Sequence, residues 1–188
     1  MSLDANLAAF FRRLEHAAGA ADTASRCAGI KEILIDALGS KRVSVPQAFL
    51  QPVPVGYARR RLFLDPEARF SVVVMVWAPG QRTPLHDHAG HWCVECVYDG
   101  RIQVTSYDRE READGRVLFR QRTSTLSGVG AAGALIPPFE YHTIENPFDT
   151  TAVTVHVYEN ELTWCHAFEP LDTAGWFRPE RHALEYST

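Results

Sequence analysis

Two histidines separated by one residue, His86 and His88 in Gly80-Gln-Arg-Thr-Pro-Leu-His86-Asp-His88, offer the first chemistry in this sequence. On an extended strand, residues i and i+2 point to the same face, so two imidazoles spaced this way can meet on one ion. A third, His142, lies in PPFEYHTIEN after the apolar stretch GALIPP. Three histidines with a position left open suit a catalytic metal, whereas four protein ligands suit a structural one. The pair alone is a weak motif that surface or packed histidines also produce, so its surroundings matter.

In TAVTVHVYEN, Thr154, His156 and Tyr158 alternate with Val153, Val155 and Val157, which gives a strand one polar and one apolar face. A solvent-facing side would look the same. Beside a metal motif the row reads as a relay: Thr154 orients His156, His156 holds the Tyr158 phenol, and the phenol donates a hydrogen bond to bound oxygen. Arg59-Arg60-Arg61 is the one basic run, and on its own it reads as a solvated stretch. If it is a strand, Arg59 and Arg61 share the face of Tyr57 and Arg60 points away.

Cys93 and Cys96 form a CxxC, which would suggest a redox dithiol or half of a zinc site. There is no second CxxC and no βαβ context, and an i, i+3 pair on a strand points to opposite faces. Glu95 is a conceivable fourth ligand, but six residues separate it from His88, too many for the usual motif. His16, His91, His166 and His182 have no spacing argument and read as ordinary surface or packed residues.

The elements that must position these groups are mostly strands. Leu3, Leu7, Phe10, Phe11 and Leu14 have helical spacing over about residues 3–18, and a second such run opens at Asp22, passes Cys27, Ile30, Ile33, Leu34 and Leu38, and closes at Gly39. From about residue 43 the chain turns to short β-branched and aromatic runs divided by Pro, Gly and Asp, the pattern of an all-β barrel or sandwich. Asp-Gly in ADGR at 113–116 predicts a hairpin turn. The expected organisation is an N-terminal helical segment, 1–42, packed on a barrel domain, 43–188, within one structural domain.

A net charge of −4 and scattered basic residues exclude the footprint of a nucleic-acid binder. Asp4, Asn6, Arg12, Arg13 and Glu15 interrupt the N-terminal apolar residues, so no signal peptide is read, and no stretch is long enough for a membrane span. Four cysteines without an export signal suggest reduced thiols and a cytoplasmic protein.

Counted outward, the metal motif runs Gly80, five residues, His86-x-His88, four residues, Cys93, six residues, Gly100; later come Pro137, His142 and Asn146. This resembles the two signature motifs of the cupin superfamily, with Cys93 in place of the first motif's usual glutamate ligand and Phe139 in place of the second motif's glycine. The resemblance implies a small, jelly-roll-like β-barrel preceded by two helices, with a metal on His86, His88 and His142. Three neutral imidazoles would leave the full 2+ charge on the ion and favour an anionic ligand such as a substrate thiolate. Zinc also accepts such a site but has no redox chemistry, whereas a soft sulfur donor makes iron competent to activate dioxygen, and Fe(II) is the expected cofactor.

The string HDHAGHWC, the HTIEN segment, the Thr-His-Tyr row and CHAF at 165–168 together resemble the cysteine dioxygenase family of thiol dioxygenases, over roughly residues 55–170. The resemblance implies that Fe(II) and O2 convert L-cysteine to cysteine sulfinic acid, and that the Tyr158 ring can be joined to Cys93 by a thioether. It also implies that Tyr57 and Arg59, matching a Tyr-x-Arg element, bind the substrate carboxylate, for which a planar guanidinium is suited. Thr154 stands where the family usually has serine, and Glu159-Asn160 where mammalian-type members carry Ser-Pro, so the backbone there is expected to differ. A 3-mercaptopropionate dioxygenase and a non-catalytic metal-binding cupin sensor are the competing readings. The expected partners are a small thiol and O2, with no nucleic acid and no membrane, in a monomer or small homo-oligomer.

Overall fold

All eight residues from Phe70 to Trp77 are buried in the computed structural model, which describes residues 5–171 and 174–188. A strand so apolar on both faces must be covered on both, and two different layers do this. The strands in chain order are β1 (Ala58–Leu64), β2 (Phe70–Trp77), β3 (Leu85–His86), β4 (Cys93–Asp99), β5 (Arg101–Ala113) and β6 (Arg116–Gly128), then β7 (Ala132–Leu135), β8 (His142–Glu145), β9 (Ala152–Glu159), β10 (Trp164–Pro170) and β11 (Trp176–Ala183). One sheet runs β1-β2-β9-β4-β7, and the other strands close a ring in the order β10-β11-β6-β5-β8-β3.

Period-2 alternation sorts the residues of the first sheet. Val72, Val74, Val94, Cys96, Val155 and Val157 join one core with Leu7, Phe10, Leu14, Ile30 and Leu34 of the helices. Val73, Met75, Trp77, Cys93, Val97 and Tyr158 pack on the other side, with Ile102 and Ile144 of the closed ring. The apolar face of β9 is therefore turned to the helices and its polar row to the interior. Leu14 is fully buried in this layer, and truncating such a leucine to alanine costs about 2–5 kcal/mol.

Helices α1 (Ala5–Ala18) and α2 (Thr23–Leu34) form as their spacing predicts; Leu3 lies outside the described residues. Asp22 caps α2, its carboxylate accepting the Ser25 N–H at 2.9 Å. The helical path continues through a π-helical turn at Ile35–Gly39. A Cβ at Gly39 would stand 2.8 Å from Gly130 Cα, so the missing side chain here permits close backbone approach. The Asp114-Gly115 turn joins β5 to β6 with φ of 52° and 69°, the two positive values of a type I′ hairpin. Among the described residues, no helix is long and apolar enough to cross a membrane.

Candidate metal centre

His86 and His142 are direct partners across β3 and β8, so the ladder itself places two of the imidazoles. β3 holds only Leu85 and His86, and His88 lies beyond it, just before a turn with positive φ at Ala89 and Gly90. The three rings nevertheless converge: centroids are 4.4 Å apart for His86–His142, 5.1 Å for His88–His142 and 5.4 Å for His86–His88. One ligand atom from each lies within 4.8 Å of the other two. His142 Nδ1 donates to Glu140 O at 2.8 Å and His86 Nδ1 to Pro84 O at 3.2 Å, which leaves both Nε2 atoms as lone-pair donors. His88 Nδ1 is buried with no hydrogen-bond partner. Burial pushes His86 below its ordinary value and His88 and His142 well below it, so the rings stay neutral, the form that binds metal. This donor set fits a divalent transition-metal ion.

Asp87, between the two ligands, pins their segment to β10. Its Oδ1 accepts the backbone N–H groups of His166 at 2.8 Å and Ala89 at 3.0 Å, and its Oδ2 lies 2.8 Å from His166 Nδ1. Sequence reasoning left His166 as an ordinary residue and did not use Asp87; the signal was an acid inside the HxH pair and a histidine in CHAF, with no spacing rule to join them.

Thr154, His156 and Tyr158 are all buried on the interior face of β9. Thr154 Oγ1 accepts Trp77 Nε1–H at 2.9 Å and lies 2.8 Å from His156 Nε2, which leaves the hydroxyl proton for that nitrogen. His156 Nδ1 faces Cys93 Sγ at 3.8 Å and Glu95 Oε2 at 3.5 Å. The sequence relay has His156 holding the Tyr158 phenol, and the geometry corrects this. The two rings are stacked with centroids 5.7 Å apart and an angle of 9°. Side chains two apart on a strand run side by side, so the in-plane nitrogens point to Thr154 and the neighbouring strand. Tyr158 instead edges the His88 ring at 5.5 Å and stands opposite Cys93 in the β4–β9 ladder. Burial raises both the Tyr158 hydroxyl and the Cys93 thiol well above their usual values.

Arg59 is the arginine of the basic run that turns inward. It is 3% exposed, its Nη2 donates to Leu162 O at 2.6 Å, and its guanidinium lies 4.5 Å from the Tyr186 ring centroid. Nε and Nη1 are buried without partners. Arg60 instead donates to Gln51 O at 2.6 Å, and Arg61 pairs with Glu161. Arg59, Tyr57, His86, His88, Tyr158 and Cys165 line one cavity of about 120 Å³, completed by residues that include Met75, Leu162, His182 and Leu184. The C-terminal contribution was not legible in the sequence: Ser187 N donates to Arg59 O at 2.7 Å and Arg59 N to Ser187 Oγ at 3.0 Å, laying residues 184–188 along this wall. Cys93 and Cys96 face different cores, and all four cysteines are buried and free.

Glu95 shares the interior face with Cys93 and is 7% exposed. Its Oε2 is 3.5 Å from His156 Nδ1 and 4.0 Å from His142 Nε2. Burial pushes its carboxyl up to about 7. Motif spacing set this residue aside, yet the pleat brings it to the histidines.

The family model described as "Cysteine dioxygenase type I" matches residues 50–170, which contain every residue of this centre except His182 and the C-terminal tail. The chain belongs to the cysteine dioxygenase type I family. Its barrel is accordingly a cupin barrel, with two helices ahead of it. Among curated members, "Cysteine dioxygenase type 1" of Rattus norvegicus is 24% identical over 112 residues, 58% of this chain and 54% of that protein. The chain thus spans about half the length of the curated relatives it matches. Among solved structures, a Thermus thermophilus protein is 18% identical, covering 63% of this chain and 96% of that one at a TM-score of 0.49. A Cupin 2 conserved barrel domain protein from Salinispora arenicola is 22% identical, covering 63% and 87% at a TM-score of 0.44. After Tyr158 the chain turns at Asn160, whose φ of 56° is a value the proline ring forbids.

Proposed function

We propose that this protein is an Fe(II)-dependent thiol dioxygenase that oxidises L-cysteine with O2 to cysteine sulfinic acid. The observation that carries the reading is Arg59, whose two unpartnered N–H donors are buried beside a cavity shared with His86, His88 and Tyr158. Buried charges require a partner, and a guanidinium fork matches a carboxylate. A cavity of about 120 Å³ suits a small amino-acid thiol.

His86, His88 and His142 would hold the iron, which when bound supplies the redox chemistry by which dioxygen reacts with the thiol sulfur. The protein's own groups do the rest. Arg59 fixes the carboxylate end of the substrate, with Tyr57 in the adjoining wall, its ring stacked on Trp77 at 4.5 Å between centroids. Met75, Leu162 and Leu184 limit water in the cavity. Tyr158 keeps its proton, because burial raises its hydroxyl, and so presents a hydrogen-bond donor beside His88. Cys93 and His156 hold that ring in place, and Thr154 fixes His156. We place the reaction in the cytoplasm, where four free cysteines stay reduced.

Oxygen uptake by the iron-loaded protein should be measured with cysteine, 3-mercaptopropionate and cysteamine. Cysteine should turn over fastest, and cysteamine, which lacks the carboxylate for Arg59, should be poor. Faster turnover of 3-mercaptopropionate would move the assignment to that substrate, and metal binding without uptake of oxygen for any thiol would leave a non-catalytic binder.

A further inference from the structure

Glu95 has no role in the reading above, yet it is a buried acid beside the site. It is a carboxylate with 7% exposure, its Oε2 shut off from solvent and without a hydrogen-bond partner. Its ion-pair neighbours within 4.0 Å among the described residues are the imidazoles of His142 and His156, with no lysine or arginine among them. A buried carboxylate is stable when it is paired or coordinates a metal.

Its placement follows from the β4 pleat. Cys93, Glu95 and Val97 alternate inward, and the ladders put Glu95 opposite His156 on β9 and Gly133 on β7. Glu95 also lines a second cavity of about 200 Å³, with Thr154, Ser106, Thr123, Thr125 and Ser127. That cavity does not account for Oε2, which is closed off on the side toward His142 Nε2, 4.0 Å away.

We propose that Glu95 is a charge-supplying member of the metal centre, its carboxylate adding to the three imidazoles the negative charge that helps hold a divalent cation. The inference rests on the three-histidine metal site proposed above. It deepens that reading by making cation affinity depend on a residue outside the histidine set.

The test is a titration of the metal-free, full-length protein with Co(II) alone, comparing wild type, Glu95→Gln, Glu95→Asp and His86→Ala. Glu95→Gln keeps the shape and loses the charge, and should weaken Co(II) binding about 10- to 100-fold. Glu95→Asp, which keeps the charge, should hold Co(II) more tightly than Glu95→Gln. Equal affinity in wild type and Glu95→Gln overturns the proposal while leaving the histidine site intact, provided His86→Ala abolishes binding. If His86→Ala binds Co(II) like wild type, the histidine site itself is wrong and the proposal goes with it. Should Glu95→Gln not fold, the infrared difference spectrum of wild type with and without Co(II) decides the matter: a shifted carboxyl band supports the role, and an unchanged carboxyl region overturns it.

Discussion

Cys93 and Tyr158 face each other as ladder partners across β4 and β9, on the side of the sheet turned away from the helices. A thioether between them would remove the buried Cys93 thiol and stop rotation of the phenol. Peptide mapping of protein that has turned over should show the two segments joined, with two hydrogens missing. Cys93→Ser should keep its iron and lose part of its rate, and Tyr158→Phe should lose more because the hydroxyl is gone. Only free Cys93 and Tyr158 after prolonged turnover would sink the crosslink and leave the histidine centre standing.

Replacing His86, His88 or His142 by alanine should abolish both iron binding and thiol oxidation. Each supplies one of the three ligand atoms that lie within 4.8 Å of one another. Wild-type iron content in any of the three, measured after dialysis, would mean the ligand set is wrong.

Arg59→Ala should raise KM for cysteine far more than Arg60→Ala. Loss of a buried charge-assisted pair costs about 2–5 kcal/mol, whereas Arg60 donates outward to Gln51 O. Equal effects in steady-state kinetics would refute the carboxylate-binding role of Arg59.

Asp87→Ala should leave the barrel folded and weaken metal binding about 10- to 100-fold, the usual cost of losing a group that positions ligands. It removes the contacts to Ala89 and His166 that fix the segment between His86 and His88. Unchanged metal affinity in Asp87→Ala would show that the segment holds its shape without the clamp.

Acid should destabilise the metal-free protein. His156 is pushed from 6.5 down to about 3 by burial, so between these values the unfolded chain binds a proton that the folded one refuses, and stability falls as pH falls. His86, His88 and His142 are shifted in the same direction. Glu95 acts with opposite sign: raised from 4.5 to about 7, it binds its proton in the folded state first and adds stability as pH falls through that window. Melting temperatures of metal-free wild type should drop from neutral pH downward, and the drop should be steeper in Glu95→Gln. A flat profile in both would contradict the neutral, buried state of these histidines.

The sequence by itself determined what depends on neighbours along the chain. The HxH pair, the helical spacing of Leu7, Phe10 and Leu14, the Asp114-Gly115 hairpin and the two-sided alternation of β9 are all local patterns, and the motif spacings pointed to the family. Tertiary structure decided which side of each pattern became a site. Alternation cannot say which face of β9 is interior; the helices decide it by covering Val153, Val155 and Val157. The choice of Arg59 over its neighbours depends on Leu162 and on Tyr186 and Ser187 in the C-terminal tail. The approach of Glu95 to His142 and the flat stacking of His156 on Tyr158 depend on strand register and ring orientation. These contacts join residues far apart in sequence, and the closing of a barrel, not any local preference, brings them within a few ångströms.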